Sequence, residues 1–367
     1  MIFSHLYIFL ILLLHPLTMQ MDYQVTRTTA SSRSVYVGVS SAQKAEERVR
    51  DLSRDDKVVL DYPNLKYIDG YSDNKQGVQP FYRSANRNFN LLHGDTFELL
   101  PQFKFKFDMI FADPPYFLSN DGISVQSGKV VSVNKGEWDR GGTQEEIDDF
   151  NRRWISLCRE KLKDNGTIWI SGTYHNIFSV ANCLTQLGFK ILNVITWAKT
   201  NPPPNVSCRY FTYSTEFIIW ARKCAKKPHY YNYELMKYLN DDKQMTDVWR
   251  LPAIVPWEKS CGKHPTQKPL ALLSRIIMAS TKSGAWILDP FAGSSTTGIA
   301  ANLLGRRFLG IEREQEFVEM SRLRRLEIEN LDTFHKYRSK IKDVVRTEEL
   351  GAQLVVAEDV PELDLPF

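Results

Sequence analysis

The chain has 367 residues, a net charge of +4, and a composition that is 43% hydrophobic and 25% charged. That length can bury a sizeable core as one large domain or two modest ones, and the balance is that of a globular protein. So small a positive excess excludes a generally basic nucleic-acid-binding surface; any basic surface must be local.

The five cysteines are widely spaced and odd in number. With no C-x-x-C pair and no Cys/His ligand cluster, they support neither a zinc site nor a disulfide framework, so no metal is expected. A reducing, cytoplasmic setting follows. Residues 1–20 open with the apolar run MIFSHLYIFLILLLHPLT. It is short for a membrane span, and the first Lys or Arg is Arg27, so the positive flank of a secretory signal is missing. The expected explanation is an upstream start codon, with the natural start at Met19 or Met21. A membrane anchor is the rival reading.

Residues 21–85 are polar and mixed, and read as a variable arm with a short helix near Ala42 to Leu52. Asn88 to Leu92 reads as a strand, followed by His93-Gly94-Asp95-Thr96 and a helical segment. Asp95 there is either a helix N-cap or a carboxylate reaching a ligand at the sheet edge. Lys106 to Ala112 is an apolar strand ending in Asp113-Pro114-Pro115-Tyr116-Phe117. The prolines stop the strand, so an acid and two aromatics are presented at its carboxyl end, where open α/β sheets place ligands. The glycine-rich stretch from Ser119 to Gly142 carries Lys129 and Lys135 and reads as a lid or binding loop.

Glu145 to Lys163 has helical apolar spacing, Thr167 to Ser171 is a buried strand, Asn176 to Leu187 a helix, and Phe189 to Trp197 a strand. The alternation predicts a mostly parallel sheet with crossover helices. Ser214 to Ala221 is a further strand, expected near a sheet edge. From 222 to 263 the rhythm is lost: Arg222, Lys226, Lys227 and Arg250 mix with Tyr230, Tyr231, Tyr233 and Trp249. That mixture suits phosphate contacts and base stacking, or an insertion with an aromatic core of its own. Lys199 precedes a proline-rich break and joins the candidate phosphate contacts.

His264-Pro265-Thr266-Gln267-Lys268-Pro269 leads into a helix from Leu270 to Ser280. A strand, Gly284 to Leu288, then runs into Asp289-Pro290-Phe291-Ala292-Gly293-Ser294-Ser295, a helix follows, and Arg307 to Ile311 is a strand ending at Glu312. Strand, small-residue turn, helix, then strand ending in an acid is the nucleoside-binding logic of Rossmann-like sheets. There is no G-x-G-x-x-G, so a dinucleotide is not indicated. A charged helix runs to Leu331, and residues 332–367 read as a charged tail.

On these residues the chain resembles the amino-methylating DNA methyltransferases. Asp113 to Tyr116 looks like their catalytic motif and Asp289 to Gly293 like their S-adenosylmethionine motif. His264 to Pro269 looks like the segment that precedes the latter in the circularly permuted β class, whose order is catalytic motif first. The stretches ADPPYFLSNDGIS, VVSVNKGEWD, TNPPPNVSCRYFT and KHPTQKP resemble the second adenine methyltransferase of DpnII-type restriction–modification systems, and next HinfI-like enzymes.

The resemblance implies a Rossmann-like, circularly permuted α/β fold over residues 86–331, with helices on both faces and a target-recognition region at 222–263. It implies methylation of adenine N6 in double-stranded DNA, with single-stranded DNA and a homodimer left open, and GATC or GANTC as target. Asp113 and the Pro114 carbonyl would accept from the amine, and Tyr116, with Phe117, would stack on the flipped base. Phe291 to Ser295 would line the methionine end, Glu312 would hold ribose and Asp95 the cofactor's adenine. His264 and Lys268 either join the cofactor site or shape a turn. The family usually has glycine where this chain has Ser295, a costly exchange if positive φ is required. The rivals are N4-cytosine methylation, where Ser would replace Asp113, an RNA or protein-glutamine methyltransferase, and a silent DNA-binding module.

Overall fold

In the computed structural model, residues 78–117, 142–205, 207–262 and 264–350 are described with their side chains. The backbone alone describes 23–28, 34–39, 57–61, 123–126, 129–132 and 351–358. The apolar N-terminus, the expected helix near Ala42 and the side chains of Lys129 and Lys135 lie outside the described residues. No helix among the described residues is long and apolar enough to cross a membrane.

The chain divides into two compact units, Tyr67–Tyr337 and a second formed by Met1–Lys66 with Arg338–Phe367. In the second, β1 (Tyr23–Thr28), β2 (Ser34–Val39) and β3 (Lys57–Asp61) form an antiparallel sheet in the order β2-β1-β3. The arm is therefore strand-forming, as its Val-rich segments allow.

The larger unit holds a nine-stranded sheet. Its strands are β4 (Tyr82–Arg83), β5 (Phe89–His93), β6 (Phe107–Ala112), β9 (Leu162–Gly172), β10 (Lys190–Lys199), β11 (Thr215–Arg222), β12 (Val248–Leu251), β13 (Trp286–Asp289) and β14 (Arg307–Glu312). A separate hairpin pairs β7 (Ile123–Gln126) with β8 (Lys129–Ser132). The sheet order is β12-β10-β11-β9-β6-β13-β14-β5-β4. The run β9-β6-β13-β14-β5 is parallel, while β11 is antiparallel to both its neighbours. Ser214 to Ala221 was expected near an edge; β11 lies inside the sheet, because hydrophobic residues on both of its faces are buried.

Helices cover both faces. The short α1 (Thr96–Leu99), α2 (Gln144–Lys161) and α3 (Ile177–Gln186) precede α4 (Tyr233–Leu239), α5 (Leu270–Ser280), α6 (Thr296–Leu303) and α7 (Gln315–Glu327). On β9, Ile168 and Ile170 join the core with Trp154 and Ile155 of α2 and Val180 of α3. The alternate residue Trp169 faces the other way, its indole donating to Ser280 of α5 at 3.0 Å. A capping box starts α2: the Thr143 side chain accepts from Glu146 N–H and the Glu146 carboxylate from Thr143 N–H. The charged tail expected from 332 is instead α8 (Leu331–Ser339) and α9 (Lys342–Glu358), with Ile341 and Val344 buried between acids and bases that mask the apolar spacing.

The central packing is tight where α6 crosses the sheet. A Cβ at Gly298 would lie 2.5 Å from ring atoms of both Phe308 and Phe89. Those rings are 4.8 Å apart and fully buried. Gly298→Ala should therefore destabilise the fold by about 2 kcal/mol, overpacking outweighing the helix propensity it gains of roughly 1 kcal/mol. Urea unfolding should show a lower midpoint at unchanged slope.

Candidate active site

Four acids stand at the carboxyl edge of the parallel strands. Asp113 follows β6, Asp289 ends β13, Glu312 ends β14, and Asp95 follows β5. Since β6 pairs with β13 and β13 with β14, the two motifs, far apart in sequence, share one cleft lined by Asp113 to Tyr116, Phe291, Gly293 and Glu312. β13 has neighbours on both sides entered from opposite directions of the chain, a switch point at which a crevice opens.

At the end of β6, Asp113 is the hub. Its Oδ2 lies 2.6 Å from Lys268 Nζ. Its Oδ1 accepts from the Tyr116 hydroxyl and from Ser171 of β9, each at 2.5 Å. Burial pushes the Asp113 carboxyl upward, but the Lys268 charge and these hydrogen bonds outweigh it and hold it below the usual range. Tyr116 is buried, and its hydroxyl is pushed well up by desolvation and the Asp113 charge, so it stays a donor. Lys268 was expected on the cofactor side or as a turn-former; it lines the cleft and meets the Asp113 carboxylate. The segment before α5 is aimed there by Glu258, whose buried carboxylate accepts from Leu270 N–H at 2.7 Å while Gln267 donates to its carbonyl at 2.9 Å.

The turn after β13 is braced from within. Asp289 accepts from Phe291 N–H at 3.0 Å and from Thr297 Oγ1 at 2.6 Å. The Pro290 carbonyl accepts from the Thr96 hydroxyl. Buried Arg324 of α7 donates to the Ser294 carbonyl at 2.6 Å, and Ser321 to the Gly293 carbonyl at 2.9 Å. Glu312 accepts from Gly293 N–H at 2.7 Å and Glu314 N–H at 2.8 Å. His264 packs over the turn, 4.2 Å from the Phe317 ring, and a Cβ at Gly293 (φ 51°) would meet its imidazole at 3.0 Å. Asp95 takes the capping role, accepting from Phe97 N–H at 2.7 Å, and it also lines the cleft.

Desolvation raises Asp289 to about 7, with the Asp113 and Glu312 charges adding to it, and Glu312 is likewise pushed up by burial. Such acids disfavour further negative charge in the cleft and are relieved by a cation. Backbone approach at Gly293, an acid at the next strand end and excess carboxylate suit a nucleoside with a cationic centre.

Several expectations change. Phe117 adopts φ 58° and packs edge-on against Phe150 of α2, whose ring also neighbours Phe291; it walls the cleft's flank from behind. Ser295 does not line the cleft. Lys199 is held by Glu216 at 2.5 Å and is mostly buried. Arg222 ends β11 opposite Thr167, at the amino edge of the sheet, because β11 runs antiparallel. Lys227 there pairs with Asp164 at 2.7 Å, and Lys226 precedes it. Arg250, in register with Ala198, sits at the carboxyl edge, as Lys199 does. The aromatics of 222–263 form a core in part: Trp249 lies near Trp169, and Tyr231 near Trp220. Tyr231 and Tyr233 of that stretch are exposed, and further exposed aromatics lie at the carboxyl edge, with Tyr174 stacked on Tyr213 at 5.3 Å and Phe211 97% exposed. Ser171, Glu216, Phe150 and Arg324 carry no motif signal and were missed; the Arg-Tyr-Phe cluster at 209–211 was legible but unused.

A family model described as DNA methylase matches residues 107–323. The type II methyltransferase M2.MboI of Moraxella bovis is 59% identical over 252 residues, 68% of this chain and 92% of that protein. M2.DpnII of Streptococcus pneumoniae is 61% identical over 256 residues, covering 69% and 94% respectively. Among solved structures, the M1.HpyAVI–SAM complex matches 64% of this chain and 98% of its own at 29% identity, with a TM-score of 0.50. The cytosine-N4-specific PvuII DNA methyltransferase shares the fold at a TM-score of 0.55 and 18% identity, over 76% and 96% of the two chains.

Ser295 is where the cofactor-side turn departs from the usual glycine. It adopts φ 53°, is fully buried, and its hydroxyl has no hydrogen-bond partner. The left-handed backbone costs roughly 1–2 kcal/mol for a residue with a Cβ, and a buried unpaired hydroxyl about as much again. Glycine loses up to about 1 kcal/mol of this through its freer unfolded chain. Ser295→Gly should stabilise the protein by about 1 kcal/mol, read by calorimetry as a higher Tm.

Proposed function

The chain belongs to the DNA methylase family, and from that premise we propose that it methylates N6 of adenine in a short DNA sequence. S-adenosylmethionine is the methyl donor, the setting is a cytoplasmic restriction–modification system, and GATC is the target, with GANTC second. The observation that carries this reading is Asp113, mostly buried and held ionised, in one cleft with the Phe291 to Gly293 turn and Glu312. An aspartate there favours adenine over the N4-cytosine reading, and the resemblance to DpnII-type second methyltransferases points to GATC.

The exocyclic amine of adenine is a weak nucleophile because its lone pair is delocalised into the ring. Asp113 and the Pro114 carbonyl accept its two N–H bonds and return electron density to nitrogen. Proline offers that carbonyl on a fixed backbone with no competing N–H. The ring of Tyr116, part of the cleft wall, stacks on the base once it leaves the duplex. Glu312 accepts ribose hydroxyls with the lone pairs left beside its two backbone bonds. The bound cofactor supplies an electrophilic methyl group. Asp113→Ala should abolish methyl transfer while cofactor binding by calorimetry persists; retained transfer would sink the assignment. Sequencing of methylated bases in DNA exposed to the enzyme checks adenine and the target together.

DNA approaches the carboxyl edge in this reading, where Arg250 and the exposed rings of Tyr174, Tyr210, Phe211 and Tyr213 lie. Base–aromatic stacking contributes about 1–3 kcal/mol per base. The double substitution Phe211→Ala, Tyr213→Ala should weaken DNA binding by about tenfold or more and leave cofactor affinity unchanged. Equal DNA affinity in a filter-binding titration would remove this surface from the interface.

A further inference from the structure

Asp113 is one end of a buried row of four charges. Lys268 Nζ lies 2.6 Å from Asp113 Oδ2 and 3.7 Å from Glu216 Oε2, and Glu216 Oε1 lies 2.5 Å from Lys199 Nζ. All four side chains are less than one-fifth exposed. Two cations and two anions balance, as a desolvated cluster requires. One atom is loosely held: Glu216 Oε2 is buried, and its ion pair with Lys268 at 3.7 Å is too long for a hydrogen bond. Such an oxygen is costly unless another state of the site uses it. The distance to Lys268 is about 1 Å longer than a charge-assisted hydrogen bond.

The mechanism above needs something to move. Asp113 already accepts from Tyr116 and Ser171 on Oδ1 and from Lys268 on Oδ2, so an arriving amine must share Oδ2 with an ammonium. A carboxylate held ionised by an ammonium is also a poor proton acceptor. We propose that Lys268 is a positioning residue with two seats, aiming and charging Asp113 in the empty site and transferring its ammonium to Glu216 Oε2 when the amine engages Asp113. Lys199 keeps Glu216 in place from the far side. The inference rests on the adenine-methylation reading.

The protons balance. On gaining a methyl group the nitrogen becomes cationic and gives up one N–H proton. The Asp113 carboxylate takes it as an O–H, while Lys268 keeps its three protons and bonds to Glu216. Before Lys268 leaves, its charge holds Asp113 down against burial; after it leaves, the same burial makes Asp113 more basic when a base is wanted. The other ionisable groups facing this pair are Tyr116, Asp289 across the cleft, and Lys199 behind Glu216. Burial lowers the Lys268 ammonium, but the Asp113 and Glu216 charges outweigh it and keep it charged between them.

Single-turnover methylation of adenine-containing duplex at saturating cofactor, measured across pH, tests this with the full chain. Lys268→Met removes the charge that holds Asp113 ionised, so the acidic limb should move up by about one pH unit or more. Lys268→Arg should restore that limb. Glu216→Gln deletes the second seat but not the first: the plateau rate should fall about tenfold, with the acidic limb unmoved or shifted down. A structural role would not separate limb from plateau. Cofactor binding by calorimetry shows that each variant keeps its cleft. Limbs moving the same way in both variants, or a Glu216→Gln plateau equal to wild type, would overturn the proposal. If Lys268→Met does not fold, the Glu216→Gln plateau alone decides it. A wild-type chain without adenine methylation would remove the function reading and this inference together; an active wild type with unaltered variants removes only the inference.

Discussion

The parallel pairing of β6 with β13 is the contact on which everything else in the larger unit depends. Ile287 stands opposite Met109 and Leu288 opposite Ile110, all four fully buried. Strands covered on both faces by helices must be apolar along their length, and these are. Their polar residues are therefore pushed to the ends. At the carboxyl ends stand Asp289 and, one residue past the strand, Asp113. A one-residue slip of either strand would turn its apolar residues to the other face and displace its acid from the cleft. The register of two short strands thus sets the spacing of the two half-sites.

That pairing places charge in a poorly solvated cleft, and the surrounding elements answer it differently on the two sides. On the β6 side the answer is a cation: Lys268, delivered by the segment before α5, neutralises Asp113. On the β13 and β14 side the answer is backbone N–H groups, which satisfy Asp289 and Glu312 without supplying a full charge. Both acids remain pushed up, whereas Asp113 is held down. Two kinds of support thus give two kinds of carboxylate: one poised to accept from an amine, the others short of positive charge.

Much of this was legible before folding, because chemistry at strand ends leaves local marks. Asp113-Pro114-Pro115 announces a strand stopped by prolines, and Asp289 to Gly293 a turn of small residues. The resemblance then tied the two. What escaped reading depends on strand direction and register. Ser171 and Glu216 are ordinary strand residues; they reach the site because β9 lies beside β6 and β11 beside β9. Arg222 was misplaced for the same reason, since an antiparallel β11 carries its last residue to the far edge. Periodicity cannot reveal that reversal. The basic and aromatic richness of 222–263 was ambiguous in composition, and the buried Trp249 beside Trp169 shows that part of it serves packing.

Each of the two motifs is also followed by a residue bent into the left-handed region: Phe117 at φ 58° and Ser295 at φ 53°. Neither is glycine, so each costs roughly 1–2 kcal/mol that the fold must offset. With the raised Asp289 and Glu312, the cleft gathers conformational and electrostatic costs within a small volume. Such concentration marks a place selected for something besides stability. Packing does the offsetting: Phe117 rests on Phe150, which neighbours Phe291, and Arg324 clamps the turn at Ser294. Phe150 therefore touches both motifs from α2, while the Asp113 charge is felt at Asp289. The two half-sites are joined by a shared aromatic wall and by a shared field. A ligand that changes the charge on one side alters the other without any movement of the sheet between them.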